Sequence, residues 1–401
     1  MGCGLPGAPS GPRLEQRGRS DLAQDPKAVR TILRRPVTES EKTIRHIVIF
    51  DNHPASMKSG PEGDSSPING VSFICGVTNV EDLILVPNTK WVIGSGFTDQ
   101  VTTQNYLHLF DSETETGAAV QPFEIAIRPD TKTYPDCAPP DWQTFGPHGL
   151  GLDLTGGTRL VLYVVNHGGR EAVEVFEVDL SQDRPRFTWI GCVIAPQGSW
   201  PDAVALLPNG GLVVTSMSEP ADPAGTKNKL LKGEPIGWIK EWHPGTGWTD
   251  IPGTKAFSAP NGVVVSPDGK YIFVNLSTGR QVARITRGQN PPKVDFAPTG
   301  ILPDNVRWSA SGKSLLVGGH DVSTEEFFAR VEASYAKSNV GGNVNMPFKI
   351  LRMDPETLEF TEVIGSGVYG VMGGGTGAIE VGNKLWVSSM RADRIAIFPL
   401  K

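Results

Sequence analysis

One pattern recurs along this chain and limits what it can fold into: a short apolar strand opening on polar residues, a turn, a second strand ending in small residues, then a third apolar strand. The openings read EDLILVPNTKWVIGSG from residue 81, HGLGLDLTGGTRLVLYVVNH from 148, PDAVALLPNGGLVVTSM from 201, NGVVVSPDGKYIFVNLS from 261, DNVRWSASGKSLLVGGH from 304 and GAIEVGNKLWVSSM from 377. Third strands follow as YLHLFD, VEVFEVD, GWIKEW, QVARIT, FKILRMD and RIAIFPL, and several units add a fourth such as FTWIGCVI. Starts lie 43 to 73 residues apart, which suits four-stranded units joined by loops of varying length. The expected fold is all-β: a six-bladed β-propeller over 41–401 with a short helical lid insertion, preceded by a flexible, Gly-, Pro- and Arg-rich arm over 1–40. The sixth unit runs out of chain after three strands. HIVIFDN (46–52) is therefore expected to supply its fourth strand and close the ring, leaving no open edge.

Composition agrees with many short strands and turns, since 47 of 401 residues are Gly and 33 are Pro. The 43 acidic residues outnumber 37 basic ones, and no long basic run occurs, so no nucleic-acid footprint is expected. No run reaches the ~18 apolar residues of a membrane helix, and the N-terminus lacks the apolar stretch of a signal peptide; no transmembrane segment is expected, and a cytoplasmic location is the default. Cys3, Cys75, Cys137 and Cys192 are scattered without a CxxC pair, which signals neither a zinc site nor a dense disulfide framework and leaves room for one bridge.

Radial repetition sets the six innermost strands side by side, all starting on one face of a central channel. Whatever opens each repeat converges there: Glu81, Asp82, His148, Pro201, Asp202, Asn261, Asp304, Asn305 and Thr376. A turn hydrogen bond explains any one such Asp or Asn alone. Carboxylates and amides gathered from five blades are hard oxygen ligands of the kind calcium takes, and with no EF-hand loop the site must be discontinuous. His148 opens one strand of an antiparallel hairpin and His167 closes the next, so both imidazoles emerge at one sheet edge, where a pair suits a relay that activates water. His320 ends VGGH as His167 ends VVNH. Two long insertions, 218–235 and 321–347, return to the same face. The second contains a predicted helix, with a capping box of Ser323 and Glu326 and an apolar face of Phe327, Phe328, Val331 and Tyr335; packing on the blades and a substrate lid both suit it. GSGVYG (365–370) matches GxGxxG but lacks the strand-to-helix context of a dinucleotide site.

Together these residues resemble the paraoxonase and arylesterase family, within the broader gluconolactonase and senescence-marker-protein group of calcium-dependent six-bladed propellers. The likeness spans roughly 75–401. It is carried by EDLILVPN, by GPHGL with VVNH nineteen residues on, by NGVVVSPDGKYIFV and by PDNVRWSASGKSLLVGGH. The resemblance implies two calcium ions: a catalytic one held by Glu81, Asn261, Asp304 and Asn305, and a deeper structural one held by Asp82, Asp202 and the carbonyl of Leu150. It further implies a small-molecule lactone or aryl ester as substrate, with His148 as general base or its positioner, His167 as its partner, and Asp304 as an alternative nucleophile. His320, Phe327 and Phe328 would line the substrate pocket. One departure stands out: the family's asparagine ligand before the third-blade aspartate is Pro201 here, which offers no side-chain ligand. It keeps two other readings open, a same-scaffold lyase, isomerase or ring-opening enzyme, and a non-catalytic, calcium-stabilised binding propeller.

Overall fold

Each repeat folds into its own antiparallel sheet, as its alternating apolar residues direct. The structure, a computed structural model, describes residues 70–97, 105–153, 157–218, 221–337, 343–369 and 372–400. Within them the innermost strands are Val80–Leu85, Pro147–Asp153, Trp200–Leu206, Pro260–Val265, Leu302–Trp308 and Gly375–Val381. Each of these touches the innermost strand before and after it, and the sixth touches the first, so the ring is closed. The chain is thus a six-bladed β-propeller. The second blade carries a fifth, two-residue strand, Ala126–Ile127, parallel to its outer strand.

The ring closes with a different segment from the one expected. The outermost strand of the sixth blade is Ser72–Cys75, paired with the C-terminal strand from Ser72 opposite Ile397 to Cys75 opposite Arg394. HIVIFDN lies outside the described residues. SFIC suits the position because its alternate side chains face opposite ways: Phe73 is buried among sixth-blade residues with Ala396 and Phe398, and Ile74 among first-blade residues with Val80 and Phe110. Most of the remaining core likewise lies between neighbouring blades. Leu150, Leu162, Phe176 and Trp189 of blade two, for example, pack on Val86, Ile93 and Leu109 of blade one.

The same irregularity occurs in all six innermost strands. The pairing of the first two strands slips by one residue between Val80 and Asp82, Pro147 and Leu150, Pro201 and Val204, Pro260 and Val263, Pro303 and Val306, and Gly375 and Ala378. A bulge re-aims the side chain at the extra residue. Six bulges at one level set an upper row of Glu81, His148, Asp202, Asn261, Asp304 and Thr376, and a lower row of Asp82, Gly149, Ala203, Gly262, Asn305 and Gly377. Three lower positions are glycine because the strands converge there: a Cβ on Gly149 would lie 2.2 Å from the Asp202 carbonyl oxygen, and one on Gly262 would lie 2.5 Å from that of Asp304.

Both long insertions carry a helix. In the first, not foreseen from sequence, Asp222 caps α1 (Pro223–Lys232) by accepting from Gly225 N at 3.0 Å, and Gly233 ends it at φ 63°. The expected helix is α2 (Thr324–Lys337), and Ser323 Oγ accepts from Glu326 N at 3.1 Å. The Glu326 carboxylate is turned to Arg330 at 2.9 Å, the i,i+4 partner that competes with the reciprocal half of a capping box. The two helices are joined by a Lys227–Glu332 ion pair of 2.9 Å and by Phe328, buried with Leu230, Ile236 and Ala259. Cys137 and Cys192 form a disulfide that ties the segment before blade two to that blade's outer strand, a bond that persists in oxidising surroundings. Among the described residues no helix is long and apolar enough to cross a membrane.

Candidate active site

The loop after VVNH is built to hold one imidazole still. Asn166 Oδ1 accepts from Gly146 N at 2.9 Å and Gly168 N at 2.8 Å, and its Nδ2 donates to Glu174 at 3.0 Å. Fully buried Glu174 also accepts from Arg170 at 2.8 and 2.9 Å and from Trp189 Nε1 at 2.8 Å, which neutralises and saturates its carboxylate. Gly168 presses so closely on the Thr144 carbonyl oxygen that a Cβ would lie 1.5 Å from it. His167, between Asn166 and Gly168, stacks on Trp200 at 4.1 Å between ring centroids, and Phe97 flanks both it and His148 at 5.0 and 5.1 Å.

From this loop runs a chain of contacts into the channel. His167 Nδ1 lies 2.7 Å from Glu171 Oε2, His167 Nε2 lies 3.1 Å from His148 Nδ1, and His148 Nε2 lies 3.4 Å from Glu81 Oε2. A carboxylate only accepts, so Glu171 accepts a hydrogen bond from His167 Nδ1–H. With its proton on Nδ1, His167 accepts at Nε2 from His148 Nδ1–H, which leaves the lone pair of His148 Nε2 facing the channel. Burial, with His167 adding to it, holds the His148 pKa well below the ordinary imidazole range, so the ring is neutral near pH 7 and its Nε2 lone pair is free to accept a proton. The sequence reading paired His148 with His167. Glu171, four residues on in HGGRE, was missed, although an acidic residue at that short spacing was the available signal.

The upper row is rich in oxygen and short of hydrogen. Glu81 Oε1 accepts from Asn305 Nδ2 at 2.7 Å, Thr376 Oγ1 donates to the Glu81 carbonyl at 2.6 Å, and His320 Nε2 meets Asp304 Oδ2 at 3.0 Å. Glu81 Oε2 and Asn261 Oδ1 are buried without a hydrogen-bond donor. Burial pushes the Glu81 carboxyl well above its usual range and the charges of Asp304, Asp82 and Asp202 push it further; burial, then Asp304 and Asp82, do the same to Asp202. Mutually repelling carboxylates beside orphaned buried oxygens are what a hard cation relieves. Among the described residues no three His, Cys, Asp or Glu side chains form a metal-ligand cluster by themselves, so the amides would have to contribute. Glu81, Asp202, Asn261 and Asp304, with Asn305 beside them, fit one calcium on this chemistry.

The register also reassigns Pro201. It stands level with Pro147, Pro260 and Pro303, one position before the upper row, and Asp202 puts a carboxylate into that row. The third blade's lower-row residue is Ala203. At that lower level Asp82 and Leu150 do come together, but around a side chain that sequence reasoning overlooked. Arg307 Nη2 donates to Asp82 Oδ2 and to the Leu150 carbonyl at 2.8 Å, and its Nε donates to the Leu83 carbonyl at 3.2 Å. Asp82 Oδ2 also accepts from Leu150 N at 2.8 Å, and Oδ1 from Leu83 N at 2.8 Å. These oxygens do not fit a second cation, because a resident guanidinium and two backbone amides already occupy them. Burial raises the Asp82 pKa, and Arg307 draws it back down.

Of the residues expected to line a pocket, His320 is buried against the Phe327 ring at 5.1 Å. Phe328 instead faces the seam between α1 and α2, with the Lys227 ammonium 5.5 Å from its ring.

No protein-family model and no curated protein matches the sequence. Among solved structures the chain is similar to a gluconolactonase from Xanthomonas campestris, with 13% identity over 82% of this chain and 89% of that one and a TM-score of 0.48. It is similar to a luciferin-regenerating enzyme, with 11% identity over 82% and 95% and a TM-score of 0.49. A virginiamycin B lyase from Staphylococcus aureus shows 13% identity over 82% and 99%, with a TM-score of 0.45. What the sheets themselves establish is a closed ring of six blades whose bulged inner strands deliver acidic, amide and imidazole side chains to one level of the channel.

Proposed function

We propose that this chain is a calcium-dependent hydrolase of lactones or aryl esters. The observation that carries the reading is the chain Glu171–His167–His148, which ends with an imidazole lone pair beside the orphaned oxygen of Glu81, inside a ring of oxygen donors. Calcium held by Glu81, Asp202, Asn261 and Asp304 would supply Lewis-acid polarisation of a carbonyl oxygen and a charge opposite to a developing oxyanion.

The protein's own groups divide the remaining work. His148 Nε2 removes a proton from water at the channel mouth, and the same proton returns to the leaving alkoxide or phenoxide. His167 holds the Nδ1–H of His148 and shares the positive charge that builds on it, with Glu171 stabilising that charge from behind. His320 orients Asp304, which makes the Asp304 carboxylate the alternative nucleophile. Phe97, Trp200 and Phe327 give the mouth apolar walls that suit a small organic ester.

Hydrolysis of a panel of aliphatic and aromatic lactones and aryl esters tests the reading, in calcium, after chelation, and with His148→Gln. Activity that disappears on chelation and falls at least about a hundredfold in the variant is expected from loss of a general base. A folded, calcium-loaded protein that hydrolyses nothing on the panel would refute it.

A further inference from the structure

We propose that the guanidinium of Arg307 is a built-in replacement for the deeper calcium, so that this chain binds one calcium and not two. The upper calcium rests on the function proposed above; the assignment of Arg307 does not.

Three observations carry the assignment. The first is saturation: both oxygens of Asp82 and the carbonyls of Leu83 and Leu150 are engaged by Arg307 and by backbone amides. Calcium asks for six to eight oxygens with free lone pairs, which this level cannot offer while Arg307 is in place. The second is the poverty of the lower row. Beside Asp82 it holds Gly149, Ala203, Gly262 and Gly377, and the Asn305 amide nitrogen is committed to the Glu81 carbonyl and carboxylate at 3.1 and 2.7 Å. One carboxylate balances one guanidinium, whereas a divalent ion would be left under-neutralised. The third is position. One step beyond the apolar Leu83, Leu150, Val204, Val263, Val306 and Ala378, five blades carry Ile84, Gly151, Ala205, Val264 and Ile379, and only the fifth carries a charge, Arg307.

The planar fork of Arg307 therefore leaves blade five, passes the sixth blade, and ties blades one and two together. A central calcium would make the same cross-blade link. The covalently attached cation needs no uptake, and a chelator cannot remove it.

The test uses the full chain. Calcium per chain is counted after chelation and reloading, and melting temperature is measured with and without calcium for wild type and Asp82→Asn. Two further variants are Arg307→Ser and the double variant Arg307→Ser with Ala203→Asp. One calcium per wild-type chain is expected. Asp82→Asn should lower the melting temperature by several degrees, and by the same amount in calcium and in chelator. The double variant should take up one calcium more than wild type. Two calcium ions per wild-type chain would overturn the assignment, as would an Asp82→Asn penalty that appears only in calcium. No bound calcium in wild type, with the Asp82→Asn penalty intact, would support Arg307 and remove the hydrolase reading. Should the Arg307 variants not fold, the wild-type count and Asp82→Asn decide the matter without them.

Discussion

Acidification is expected to destabilise this propeller in part through a buried histidine outside the two rows, His108. It lies on the third strand of blade one, opposite Gly94 and Ala119, and is 5% exposed. A Cβ on Gly96 would come within 2.7 Å of its Nε2, and its Nδ1 is buried without a hydrogen-bond partner. Burial pushes its pKa down from 6.5 to about 4. Because the folded value lies below the unfolded one, the unfolded chain takes up the proton first as pH falls. The loss therefore begins near 6.5 and is complete near 4, and at ~1.4 kcal/mol per unit it amounts to about 3 kcal/mol. Urea unfolding of wild type and His108→Leu, followed from about pH 7.5 to about pH 4, isolates this term, because the buried carboxylates titrate in both proteins. Leucine removes an unsatisfied nitrogen, so the two should agree within ~1 kcal/mol at the higher pH. The variant should then gain about 3 kcal/mol on wild type at the lower pH. Parallel stability curves across that window would refute the reasoning.

Glu171→Ala should lower kcat about a hundredfold with little change in KM, because the charge-assisted bond that orients His167 is worth ~1.5–3 kcal/mol. Glu171→Gln, which keeps an acceptor, should cost only about tenfold; full kcat in Glu171→Ala would show that the contact positions nothing. Gly168→Ala forces a methyl against the Thr144 carbonyl and should destabilise by ~1–3 kcal/mol or more while displacing His167; wild-type stability and activity together would contradict the packing. Replacing both Cys137 and Cys192 with Ser releases a loop spanning 55 residues and should lower unfolding free energy by ~2–4 kcal/mol in denaturant titrations. An unchanged midpoint would mean that the bridge constrains nothing in the unfolded chain.

Much of the fold and part of the site were legible in sequence because each repeat carries its own local signal. Alternating apolar residues, turn dipeptides and the final short unit are local facts, and they led to six blades, to the pairing of His148 with His167 and to a capped helix after His320. The closing strand was not legible because four residues, SFIC, carry too short a pattern to mark a strand; pairing with Arg394–Pro399 and burial between two blades identify it.

The sequence by itself determined which chemistry stands at the start of the inner strands: carboxylates, amides and an imidazole on five of them and the Thr376 hydroxyl on the sixth. The tertiary structure decided the level at which each one stands. A one-residue bulge in each of six inner strands moves Asp202 into the upper row, leaves Pro201 in register with three other prolines and leaves Ala203 below. Arg307 meets Asp82 across 225 residues of chain, and Glu171 matters only once the loop at Asn166 turns it onto His167. A strand pattern of period two cannot reveal a bulge that inserts one residue, which appears only when two strands pair, or a salt bridge across the channel, which appears only when the ring closes.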